Sequence, residues 1–365
     1  MNQHAVAYFI TPHGFGHATR AAAIMAAALA IDPTVRFEIF TRVPRWLFDQ
    51  SLTAPFGYHE VMTDIGLVQQ DALHEDTAET VRRLDEFLPF RLAPLLALVQ
   101  QVRELGCEMV VCDIAPLGIE VAKLADIPSV LVENFTWDYI YGGYVDVAPR
   151  LSPHIRVLAS VFDMATYRIQ TEPVCRRVHH DLLTPPVSRA PRLTRAEVRE
   201  RLGVAADAPL VLITMGGLSA SDQHGFLDQL AARREVVFVI PGADAAAPVG
   251  DNVICLPNHS QFYHPDLIGA ADAVVGKSGY STVSEAYYAG VPYGYVSRAR
   301  FPESDVMAAY IQAHMRGIEF SEAEFRSGAW LARAPELLAL GLIARDESNG
   351  SIPAARFLLA HAFTS

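Results

Sequence analysis

Short apolar runs of strand length recur along this chain with helix-length segments between them, and that alternation leaves few folds open. In the first half the runs cover 5–10 (AVAYFI), 35–41, 109–112 and 129–133; in the second they cover 209–214, 236–240, 253–256, 273–275 and 293–296. Runs that stay apolar residue after residue fit strands buried on both faces, as in parallel sheets covered by helices. The spacing predicts a helix over 18–31, closed by Asp32 and Pro33. It predicts a second helical segment over 79–105, broken near Pro89 and Pro94. The polar stretch 64–76 reads as a loop, long enough to suggest a task of its own.

The alternation occurs twice. Around LLTPPVSRAPRLTRAEVRERLGV the pattern breaks at Pro185, Pro186 and Pro191, and a cap-like Thr194 then opens an amphipathic helix. A chain of 365 residues exceeds the usual limit for one core. The expected fold is therefore α/β, with two Rossmann-like doubly wound domains joined near 185–193.

Composition narrows the function classes. The formal charge of −12 argues against a surface that tracks nucleic-acid phosphates or adheres to anionic lipid, because both need a basic field. The four cysteines, at 107, 112, 175 and 255, form no C-x-x-C pair, so neither a disulfide framework nor a zinc site is suggested. Neither a leader peptide nor a run of about 18 apolar residues is visible, which leads us to expect a cytoplasmic protein without a membrane segment.

Two stretches carry chemistry. ITPHGFGHATRAAA follows the first strand. Gly14 and Gly16 match the first two glycines of a dinucleotide turn, but Thr19 stands at the third, and His13 and His17 adjoin them. A histidine at the carboxyl end of a first parallel strand faces the ligand crevice of such sheets and can accept a proton from a hydroxyl. The second stretch is ADAVVGKSGYSTVSEAYYAGVP. Here Lys277, Ser278, Gly279, Ser281 and Thr282 follow a strand and open a helix, so amides, hydroxyls and the helix dipole converge on an anion. A Walker A reading fails because Ala271 stands where its first glycine is required. Glu285, one turn beyond Thr282, either accepts sugar hydroxyls or is a solvated helix carboxylate. A third turn, VLITMGGLSAS, adds Gly216 and Gly217 as bare amides suited to a second phosphate.

These residues resemble the GT-B glycosyltransferases, including the N-acetylglucosaminyltransferase of peptidoglycan synthesis and the plant UDP-glycosyltransferases. GFGH places His17 at the catalytic base of the plant enzymes. KSGYSTVSE aligns without a gap with their HCGWNSTLE. The resemblance implies donor contacts from Gly16, Lys277, Gly279, Ser281 and Thr282 and a ribose contact from Glu285. It sets Glu303 and Asp305 of PESD beside the donor sugar and Arg189 of PPVSR near phosphate. IPSVLVENFTW resembles the acceptor-side segment of the bacterial enzyme, which places Glu133, Asn134 and Trp137 at the acceptor. The opening stretch also resembles the N-terminal, non-kinase half of plant arabinokinases. Lysine at 277 and serine at 281 depart from the plant pattern, and the tryptophan that stacks on the base has no counterpart.

The family fold implies a central cleft between an acceptor domain, 1–188, and a nucleotide-sugar domain, 189–348, with 349–365 crossing back to the first domain. The expected activity is metal-independent, inverting transfer of a sugar from a nucleotide diphosphate, UDP-linked, to an acceptor nucleophile. No bound cofactor is expected, and no D-x-D motif follows a strand. His17 is the expected base and His13 its reserve, or else a turn histidine; Asp113 either orients His17 or meets the acceptor. An epimerase of the same fold and a nucleotide-sugar-binding pseudoenzyme are the alternatives. Phe135, Trp137, Tyr139, Tyr141 and Tyr144 form either an acceptor wall or core.

Overall fold

A computed structural model describes residues 4–71, 73–215, 224–243, 250–257 and 260–362. Their strands form two parallel sheets. The first contains β1 (Ala5–Ile10), β2 (Arg36–Thr41), β3 (Gly57–Glu60), β4 (Cys107–Asp113), β5 (Ser129–Glu133), β6 (Tyr167–Thr171) and β7 (Leu182–Thr184) in the order β3-β2-β1-β4-β5-β6-β7. The second contains β8 (Leu210–Thr214), β9 (Val237–Pro241), β10 (Val253–Leu256), β11 (Ala273–Lys277), β12 (Tyr293–Val296) and β13 (Gly317–Glu319) in the order β10-β9-β8-β11-β12-β13. Both are doubly wound and Rossmann-like, as the alternation predicts. Each reverses its direction of growth beside its first strand, between β1 and β4 and between β8 and β11. Open α/β sheets bind ligands at the carboxyl ends of the strands flanking such a reversal.

The apolar runs are continuous because both faces of the central strands are covered. Along β1, Ala5, Ala7 and Phe9 enter a core with the helix Pro116–Ala125, whereas Val6, Tyr8 and Ile10 enter the opposite core with the helix Gly16–Ile31. The alanines of that second helix leave room for the helix Ser351–Ala362, whose Ala354, Ala355 and Leu358 join the same core. The 79–105 segment is two helices, Thr77–Phe87 and Leu92–Glu104. Pro89 lies between them, and Pro94 sits in the first turn of the second, where a missing amide costs little. Thr194 caps the helix Arg195–Leu202 in a capping box with Glu197.

Four strands escape the sequence reading: β3, β6, β7 and β13. Each is short or only partly buried, so it offers too few consecutive apolar residues to stand out. The described residues of the 64–76 stretch begin against the first sheet's core, which Leu67 joins, and those after Gln70 form a strap laid onto the second sheet. Leu73 packs into that sheet's core with Ile213, Met215 and Phe320. Asp71 meets Arg326 at 3.1 Å, His74 meets Glu322 at 3.6 Å, and Glu75 meets Arg298 at 3.3 Å. The four cysteines are free, and among the described residues no helix is long and apolar enough to cross a membrane.

Candidate functional site

The turn after β1 begins the site. Gly14, at φ +71°, takes a left-handed conformation open to glycine at little cost. The helix then starts at Gly16, two residues earlier than its apolar spacing indicates, so His17 rides in its first turn. Pairing of β1 with β4 sets Ile10 beside Asp113, which brings the last residue of β4 to the same end of the sheet. His17 Nδ1 lies 2.9 Å from Asp113 Oδ1.

Arg20, one turn along the helix, holds Asp113 from the other side. Its Nε donates to Oδ2 at 2.8 Å and one terminal nitrogen donates to Oδ1 at 2.6 Å. Burial alone would raise the Asp113 carboxyl, but the Arg20 charge and its hydrogen bonds keep it below the usual carboxylate range. An ionised carboxylate only accepts hydrogen bonds, so in the neutral imidazole of His17 the proton sits on Nδ1 and Nε2 keeps the lone pair. Ile114, at φ 43°, holds a strained left-handed conformation directly after Asp113.

The network continues toward the second sheet. Arg20 donates at 2.6 Å to the side-chain oxygen of Asn134, just after β5, and the Asn134 amide donates at 2.7 Å to Glu303. Glu303 lies in the first turn of the helix Pro302–His314, after β12.

Across from His17 stands the turn after β11. A Cβ at Gly276 would come within 1.9 Å of the Thr214 carbonyl oxygen, so only glycine lets β11 lie this close to β8. Lys277 ends the strand, and the helix Tyr280–Ala289 begins at Gly279 with no side-chain cap. Its first amides, Ser281 and Thr282 therefore face the gap, and the helix dipole favours negative charge there. A Cβ on Gly16 would sit 3.9 Å from Ser281 Oγ, which measures how closely the two turns approach.

The cleft so formed has about 850 Å³ of empty space, its open mouth included, and His13, His17, Lys277, Arg298 and Glu303 are among its walls. Burial brings the Lys277 ammonium down to about 8, with the nearby Arg298 charge adding to the effect. Burial, then Arg298, His17 and Lys277, push His13 well below the usual imidazole range, so it stays neutral. A second hollow shares Ser281 and Thr282 with the cleft and runs to the ends of β8 and β9, walled by Phe15, Trp46, Arg189, Phe262 and His264.

Several expected residues lie elsewhere. Gly216 and Gly217 fall outside the described residues. Glu285 is buried rather than solvated: it accepts from Arg189 Nε at 3.0 Å and pairs with His264 at 2.7 Å, and these two, not Glu285, reach the second hollow. Burial raises its carboxyl, but Arg189 and His264 outweigh that and hold it low. Trp137 is buried and donates to Asp64 at 3.1 Å, and Glu133 is buried against Gln170. Among the five aromatic residues from 135 to 144, Phe135 alone lines the cleft, and Trp137, Tyr141 and Tyr144 belong to the first core. Asp305 is exposed beyond Glu303. Asp64, held by Thr11 and Trp137, is raised to about 7 by burial.

The sequence reading passes over Arg20, Asp64, Arg298 and His264. For Arg20 a signal existed: it stands three residues after His17, on the same face of one helix. Among the described residues, no group of three or more His, Cys, Asp or Glu is placed to hold a metal ion.

Comparison with known proteins agrees with this architecture. The family described as Glycosyl transferase family 1 matches residues 4–329. The L-arabinokinase of Arabidopsis thaliana is 30% identical over 360 residues, which cover 96% of this chain and 34% of that protein, so the chain spans about a third of its relative. Among solved structures, a UDP-glucosyltransferase from Polygonum tinctorium superposes with a TM-score of 0.63 at 13% identity, over 100% of this chain and 99% of the other. MurG of Acinetobacter baumannii gives 0.55 at 17% identity, over 98% and 100%.

Proposed function

Since the chain belongs to glycosyl transferase family 1, we propose that it moves a sugar from a UDP-linked donor to an acceptor hydroxyl, with inversion at the anomeric carbon. The observation that carries this reading is the pairing across the cleft: an imidazole with a free Nε2, backed by an ionised carboxylate, faces the uncapped start of the helix Tyr280–Ala289. The UDP-linked donor is supported by the fold likeness to the Polygonum UDP-glucosyltransferase.

His17 Nε2 takes the proton from the acceptor hydroxyl as its oxygen attacks the anomeric carbon. Asp113 stabilises the imidazolium that forms, and Arg20 fixes Asp113 in place. The bond from the anomeric carbon to the phosphate oxygen breaks on the opposite side, which inverts the centre. Negative charge then grows on the departing diphosphate, where the helix amides, Ser281, Thr282 and the Lys277 ammonium receive it. Prepositioned donors of this kind are each worth about 3 kcal/mol in a transition state, and we propose that they serve in place of a metal ion. Arg189 and His264, aimed by Glu285, line the hollow in which the nucleoside would rest.

Isothermal titration of UDP tests the donor half of this reading. UDP should bind the wild-type protein in EDTA and bind a Ser281→Ala/Thr282→Ala variant at least about tenfold more weakly. Equal binding by both, or none by the wild type, would remove the diphosphate from this turn.

A further inference from the structure

The cleft carries more positive charge than a diphosphate site at a helix N-terminus requires. Among the described residues that line it, Arg20, Lys277 and Arg298 are cationic, and Glu303 is the one carboxylate. The carboxylates that balance two of those cations stand behind them: Asp113 pairs with Arg20 and Glu75 with Arg298, and neither lines the cleft.

Arg298 is the residue that this excess singles out. It is buried, with one face against Phe301 at 3.3 Å from the ring centre. Its NH1 lies 3.3 Å from Glu75 Oε1, yet neither atom is aligned for a hydrogen bond, and both are left without one. A buried guanidinium nitrogen with no acceptor costs free energy unless a ligand supplies that acceptor. Lys277, on the same cleft, has no hydrogen-bonding partner among the described side chains. The amides and hydroxyls after Gly279 can hold a diphosphate without Arg298, which follows β12 and sits on the Glu303 side of the cleft.

Resting on the nucleotide-sugar reading, we infer that Arg298 forms a carboxylate subsite, so that the sugar reaching this side of the cleft is a uronic acid. A carboxylate matches the guanidinium fork in two parallel hydrogen bonds, and a neutral hydroxymethyl group at the same carbon does not. Glu303, tied to Asn134, is left to accept from the ring hydroxyls. The carboxylate belongs either to the donor sugar or to the acceptor sugar, and Arg298 is the specificity-determining residue in either case.

Calorimetric titration of the full chain with UDP, UDP-glucose and UDP-glucuronate separates these cases. With a donor carboxylate, UDP-glucuronate binds about tenfold or more tightly than UDP-glucose. Arg298→Gln brings that ratio close to one without changing UDP affinity, and Arg298→Lys retains part of it. With an acceptor carboxylate, the two donors bind alike, and at saturating UDP free glucuronate raises the unfolding temperature where glucose does not, a difference that Arg298→Gln abolishes. UDP binding without a carboxylate preference in either arm would overturn the subsite alone. Failure of UDP to bind would overturn the nucleotide-sugar reading and the subsite with it.

Discussion

Asn134, just after the fifth strand of the first sheet, donates a 2.7 Å hydrogen bond to Glu303, which follows the fifth strand of the second sheet. Through Arg20 this bond joins the His17–Asp113 pair to the opposite wall of the cleft, so four side chains from the first sheet, its helix and its loop and one from the second sheet's helix form a continuous buried network.

Arg20 is its centre, and its removal should cost stability as well as activity. Arg20→Met leaves Asp113 as a buried charge without its cation, a change that typically costs about 3–5 kcal/mol. Urea unfolding should show a loss of that size, and adding Asp113→Asn to the same chain should recover part of it. A loss below about 1 kcal/mol would mean that Asp113 is not held by Arg20 in solution.

His17→Ala should separate chemistry from binding. Loss of a general base lowers turnover by about a hundredfold to ten-thousandfold. UDP affinity, set on the other side of the cleft, should stay within about twofold, as read by titration. Asp113→Asn should lower turnover as well, because it no longer stabilises the imidazolium.

Lys277 should give UDP binding a pH dependence. Its ammonium is lowered to about 8 in the unliganded protein, so the cation is present below that pH and lost as pH rises through it. UDP affinity should therefore fall between pH 7 and 9 in the wild type. Lys277→Arg, charged throughout this range, should flatten the profile.

The strap should be held by its apolar residue more than by its exposed ion pairs. Leu73→Ala removes a side chain buried in the second sheet's core and should cost about 2–4 kcal/mol. Arg326→Ala breaks a half-exposed pair with Asp71 and should cost less than about 1 kcal/mol. Thermal unfolding of the two variants checks the ranking.

What could be read from sequence follows burial. β1, β5, β10 and β12 are apolar enough to stand out, whereas β3 (GYHE) and β13 (GIE) are sheet edges whose pairing depends on neighbours far along the chain. The candidate site divides in the same way. His17 and the Lys277 turn were legible because glycines, hydroxyls and titratable groups cluster there within a few residues. Arg20 shares a helix face with His17, but that spacing says nothing of its partner Asp113, 93 residues away. The Glu75–Arg298 contact is more remote still in sequence. Trp137 and Glu133 show the limit from the other side: residue type gave them a plausible contact, but only packing shows which way each side chain turns.

Proton NMR of the first turnovers tests the central claim most directly, with an α-linked UDP-sugar, EDTA present, and water standing in for the acceptor. UDP should appear together with the β anomer of the free sugar ahead of the α anomer, and His17→Ala should release neither. Release of the α anomer first, or release that His17→Ala leaves unchanged, would contradict inversion by a His17 base.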